Sequence, residues 1–152
     1  MGDVYFYHLT RRPLEATLPP LLTRCLSQGW RVVVRGADAG RLEWLDEKLW
    51  LDGDDGFLPH GLAGGPHDQL QPILLTVQAD ATAQCVMSID GAQLDAQTVG
   101  SAERCCVLFD GNDEQAVRTA RSQWKELTDA GCAAQYWSEE SGHWEKKAEA
   151  KG

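Results

Sequence analysis

Hydrophobic positions along this chain repeat with two periods, one suited to strands and one to helices. Val4-Tyr-Phe-Tyr-His-Leu9 is rich in aromatic residues and reads as a first strand. Leu14, Leu18, Leu21, Leu22, Cys25 and Leu26 then recur at helical spacing. Pro19-Pro20 conflicts with a helix interior. The regular helix is therefore expected to begin at Thr17 or Leu18 and run to Gln28, with Gly29 as its stop. Trp30-Arg-Val-Val-Val-Arg35 reads as a second strand, its valine run typical of a buried parallel strand. Asp38 is placed to cap a helix from Ala39 to Trp50 with Leu42, Leu45 and Leu49 as its inner stripe. Residues 51–70 are rich in Gly, Asp, Pro and His and read as a long structured loop, a kind of segment that often carries function.

Pro72–Val77, Ala83–Ile89 and Cys105–Phe109 read as further short strands. Glu114 to Ala130 is a clear helix closed by Gly131, and Cys132–Trp137 is a last strand. From Glu139 onward the chain is polar. The expected organisation is one domain over 1–144 and a flexible polar tail over 145–152. Strands alternating with helices predict a single-domain α/β fold, Rossmann-like, with three layers and a mostly parallel sheet.

Composition narrows the function classes. A net charge of −9, from 14 basic and 23 acidic side chains, repels phosphate backbones and disfavours direct nucleic-acid binding. No apolar run approaches the roughly 20 residues a membrane helix needs, so no membrane partner is expected. The N-terminus has no basic-then-apolar leader, and a cytoplasmic location is the expectation. Five cysteines make an odd number and none forms a C-x-x-C pair. They read as small buried hydrophobes in a reducing compartment, without zinc spacing.

Rossmann-like folds invite a nucleotide, whose phosphates need a glycine-rich first turn. That turn is Thr10-Arg-Arg-Pro-Leu14, with no glycine. Gly61, Gly64 and Gly65 sit near Pro66 and open no helix, so they suit turns rather than phosphates. His8, His60, His67 and His143 form no metal-ligand pattern, and no catalytic triad stands out. No cofactor, metal or catalytic residue is expected.

Two surfaces carry more information. On the 114–130 helix, Arg118, Arg121 and Lys125 fall on one side at about 3.6 residues per turn, and Trp124 borders the Ala116–Ala120–Leu127–Ala130 side. A basic stripe beside an aromatic suits an acidic peptide with an apolar anchor. Glu114 and Asp129 dilute it, and spacing alone fits an ordinary solvated face as well. The other surface is where the 39–50 helix runs into Phe57-Leu-Pro-His60, setting Trp50 and Phe57 beside Pro59 and His60. These aromatics either dock a partner or close the core edge.

With these residues the chain resembles the chi subunit family of bacterial DNA polymerase III. The likeness is spread over Val4–Leu9, Gly29-Trp-Arg-Val-Val-Val34, Leu45-Asp-Glu-Lys-Leu-Trp50, Phe57-Leu-Pro-His60 with Leu62-Ala63-Gly64, Phe109, Ala120-Arg-Ser-Gln-Trp-Lys125 and Ala130-Gly131. The resemblance implies a non-catalytic clamp-loader accessory protein with a Rossmann-like fold that binds no nucleotide and meets nucleic acid only indirectly. It implies binding of the acidic C-terminal tail of single-stranded-DNA-binding protein through Arg121, Trp124 and Lys125, which match the family motif; Arg118 does not align with it and joins the site from its place on the same helix side. Trp124 stands at a family tyrosine position, and Val117 at a family lysine position. It further implies a psi-subunit surface at Trp50, Phe57, Pro59 and His60, with psi, a helicase-like protein or another partner on it. The competing expectation is a small α/β enzyme or nucleotide-binding module lacking the usual glycine loop.

Overall fold

The computed structural model describes residues 2–51, 60–64, 71–78 and 81–151, with backbone alone at 50 and 51. Among them the chain runs β1 (Asp3–Leu9), α1 (Leu14–Ser27), β2 (Val32–Arg35), α2 (Ala39–Leu51), β3 (His60–Leu62), β4 (Ile73–Thr76), β5 (Cys85–Ile89), α3 (Ala96–Ser101), β6 (Arg104–Asp110), α4 (Glu114–Asp129), β7 (Ala133–Ser138) and β8 (Glu145–Ala150). The strands form one sheet in the order β3-β4-β2-β5-β6-β1-β7-β8. Every neighbouring pair is parallel except β7 with β8. This is the expected α/β architecture, a Rossmann-like single domain.

Each face of the sheet has its own core. Leu18 and Leu22 of α1 and Leu45 of α2 pack with Val34, Met87 and Leu108 on one face. Ala120 and Leu127 of α4 pack with Val4, Phe6 and Val107 on the other. Val4↔Cys105 and Phe6↔Val107 are in register, so inward-facing residues of adjacent strands stack on one face. Burying each large aliphatic contributes about 1.5–3 kcal/mol, and these two layers hold the helices to the sheet.

β1 and β6 lie side by side, but the helices that follow them pack on opposite faces of the sheet. From β1 the chain passes through α1 to β2, and from β6 through α4 to β7 on the other side. The C-terminal ends of β1 and β6 therefore form a topological switch point, where open α/β sheets usually hold ligands.

The structure departs from sequence expectation in four places. The first helix begins at Leu14, ahead of Pro19-Pro20, and contains both prolines. Proline removes the bonds that would reach Glu15 and Ala16, and Ala16 and Pro20 are exposed, so water can satisfy the freed carbonyls on that side. The span expected as loop contains β3, a three-residue edge strand parallel to β4. A short helix, α3, capped by the Asp95 carboxylate accepting from the Thr98 N–H at 2.8 Å, occupies a stretch to which the pattern assigned no element. The polar segment Glu145–Ala150, read as a flexible tail, pairs antiparallel with β7 as β8.

Candidate functional site

The outer face of α4 is built by its own amphipathicity. Asp113 caps the helix, its carboxylate accepting from the N–H groups of Gln115 and Ala116 at 2.9 and 3.3 Å. Ala120, Gln123 and Leu127 are buried, which turns Arg118, Arg121 and Lys125 to solvent. Arg118 and Arg121 make no ion pair among the described residues, whereas Lys125 is bridged to Asp129 at 3.1 Å. Trp124 stands at the border, half-buried, its ring edge-on to Phe6 at 5.4 Å and to Tyr136 at 6.0 Å. The structure thus brings Arg118, Arg121, Trp124 and Lys125 to one face, with Arg121 next to a fixed aromatic.

Tyr136 extends that aromatic ground, and the pattern did not mark it. Its hydroxyl meets His8 Nδ1 at 2.9 Å. His8 stacks on Phe109 at 5.2 Å and is admitted by Gly111, where a Cβ would collide with the imidazole. Burial raises the Tyr136 hydroxyl pKa; the nearby Arg121 guanidinium pulls it down, and the Glu140 carboxylate pushes it up. Glu140 Oε1 lies 3.9 Å from His8 Nε2, a buried nitrogen with no hydrogen-bond partner.

At the switch point a cleft of about 900 Å³ opens between the β1–α1 turn, the β5 and β6 ends and α4. The backbone donors of the β1–α1 turn beside it are taken by the chain itself. Glu139 Oε1 accepts the N–H groups of Thr10, Arg11 and Arg12 at 3.2, 3.0 and 2.9 Å. This carboxylate is 2% exposed. Burial opposes its ionisation, but the three backbone bonds prevail and hold its pKa below the ordinary carboxylate value. Across the cleft, Arg41 clamps Asp90 at 3.1 and 3.4 Å while lying over the Trp44 ring at 4.5 Å. Gln123, 2% exposed, donates to the Ala92 carbonyl at 3.2 Å. No group of His, Cys, Asp and Glu among the described residues is arranged to hold a metal.

The profile of the DNA polymerase III chi subunit, HolC, matches residues 1–135. The chain belongs to the DNA polymerase III chi subunit family. No curated protein matches it. Chi is an accessory component of the polymerase rather than its catalytic subunit, so membership gives this chain an accessory role in replication and a place with the DNA polymerase III complex. No described helix is long and apolar enough to cross a membrane. The chi match ends just before Tyr136, so Glu139, Glu140 and β8 lie beyond it.

Of the second expected chi surface, Phe57 and Pro59 lie outside the described residues, and Trp50 is described only as backbone in the last turn of α2. His60 opens β3 with its side chain enclosed. Its Nε2 lies 3.3 Å from both the carboxylate and the carbonyl oxygen of Asp46. It therefore fastens the β3 edge to α2. Sequence reasoning passed over Gln123 and Glu139 because both are polar side chains. The one available hint for Gln123 was its place in the Ala116–Ala120–Leu127 stripe.

Proposed function

We propose that this protein is a non-catalytic adaptor of the clamp-loader assembly, acting in the cytoplasm. It binds the acidic C-terminal tail of single-stranded-DNA-binding protein and so couples coated template to the replicase. The observation that carries this reading is Arg121, exposed and without an ion pair among the described residues, one turn from the half-buried Trp124 on α4. An arginine offers a carboxylate two parallel donors, and the fixed indole offers an apolar anchor. Arg118 extends the cationic stripe, and Lys125 joins it once its exposed pair with Asp129, worth little in water, exchanges for the peptide. A psi subunit or equivalent partner is assigned to the Trp50, Phe57, Pro59 and His60 region, with His60 holding the strand edge from within.

The test is a titration of tryptophan emission with an acidic peptide carrying the tail sequence. Binding is expected at low salt and is expected to weaken as salt is added, because the attraction is between exposed charges. Arg121→Ala should cost roughly 1.5–3 kcal/mol of binding through the lost charge-assisted bond. A folded protein that ignores the peptide at low salt, or an Arg121→Ala variant with undiminished affinity, overturns the assignment.

A further inference from the structure

On the side of α4 facing β7, aromatic side chains of the sheet meet the helix. Phe6 and Tyr136 are in register on neighbouring strands and meet Trp124 from below. Ala148 of β8 is paired with Tyr136 and so points to the same face of the sheet. A methyl there leaves the outer flank of the tyrosine ring uncovered by any large neighbour on β8. Along this flank stand Arg121 and Trp124 on α4 and Tyr136 and Ala148 on the sheet, with Glu140 3.9 Å from His8, whose Nδ1 meets the Tyr136 hydroxyl.

We propose that the acidic peptide lies along this flank, with Tyr136 as its second aromatic contact, and that Glu140 sets its affinity by competing for the same cationic ground. The inference rests on the tail-binding reading above and adds to it residues outside the stretch matched by the chi family. Charge complementarity selects the occupant. Arg121 brings a positive charge with no ion pair among the described residues to a half-apolar flank, and an acidic segment with an apolar residue satisfies both. Glu140 is exposed and negative beside this flank, 3.9 Å from the imidazole of His8. It presents to His8 Nε2, and to the surroundings of the Tyr136 hydroxyl on which Arg121 also acts, the same kind of group that an incoming peptide carries. The peptide must approach against that charge, so its removal strengthens binding. His8, Arg121 and Glu140 are the titratable or charged groups gathered about the Tyr136 hydroxyl. Arg11 holds the Glu140 backbone carbonyl at 2.9 Å, which fixes the segment.

The experiment uses the same peptide titration on the full chain with Glu140→Gln and Tyr136→Ala. Glu140→Gln should tighten binding about threefold at low salt, with the gain fading as salt is raised, as expected for an exposed charge. Tyr136→Ala should weaken binding about tenfold, with a thermal melt confirming that it is folded. Glu140 is exposed, so its variant keeps the test decisive even where Tyr136→Ala is unfolded. Wild-type binding that Arg121→Ala abolishes while Glu140→Gln leaves it unchanged overturns this inference alone. Absence of any wild-type binding overturns the tail-binding reading and the inference with it.

Discussion

Glu139 is the residue on which the most local order depends. One oxygen satisfies three consecutive backbone donors in the β1–α1 turn, and Arg12 stands 4.0 Å from the other oxygen. Glu139→Ala leaves those donors without a buried acceptor and should cost about 2–3 kcal/mol in urea unfolding, Glu139→Gln less because the amide oxygen still accepts. The folded pKa lies below the ordinary 4.5. The carboxylate's contribution is thus complete above about pH 4.5 and is lost as pH falls through the lowered value. Stability measured from neutral to acid pH should fall less in Glu139→Gln than in the wild type; parallel curves would refute the role. None of this was legible in sequence, since a glutamate 127–129 residues from its partners gives no periodic signal. Arg35 was hidden for a similar reason. Its guanidinium is buried and donates to the Ala81 carbonyl at 2.7 and 3.1 Å, and only tertiary structure shows that.

At the scale of elements, periodicity located what was long and half-buried. α2 and α4 lie within a residue of their expected bounds because each repeats its apolar stripe and begins at a carboxylate cap, Asp38 or Asp113. The prolines of α1 misled because propensity was weighed above packing. Leu18 and Leu22 are fully buried on either side of them, and that burial outweighs the lost backbone bonds. Pro20→Ala should accordingly raise stability by about 1–2 kcal/mol in urea unfolding, by restoring a bond to Ala16 on an exposed face. A variant no more stable than the wild type would mean that proline's restriction of the unfolded chain offsets the bond. β8 was invisible because an edge strand blunted by lysines and glutamates has the composition of a tail. The basic and aromatic residues of α4 were legible as a face, while Tyr136, on a different strand, was not legible as their neighbour.

For the molecule as a whole, burial makes the thiols inert. Cys25, Cys85, Cys105 and Cys106 are buried, and burial raises Cys105 to about 12; Cys25 and Cys85, hydrogen-bonded to neighbouring thiols and buried, are raised further. Thiol titration of the native protein should therefore count Cys132 alone, and all five cysteines in denaturant. A native count well above one would show that the core opens. The α/β class was readable from the order of strands and helices; what occupies the switch point was not, because it comes from the far end of the chain. That occupant is a tethered anion. A free phosphate competing for the Thr10–Arg12 amides meets a carboxylate already at an effective concentration on the order of millimolar or higher, set by the short connection from β7. The Rossmann-like frame is self-liganded at the turn where open α/β folds hold a nucleotide's phosphates, so those backbone donors are already taken.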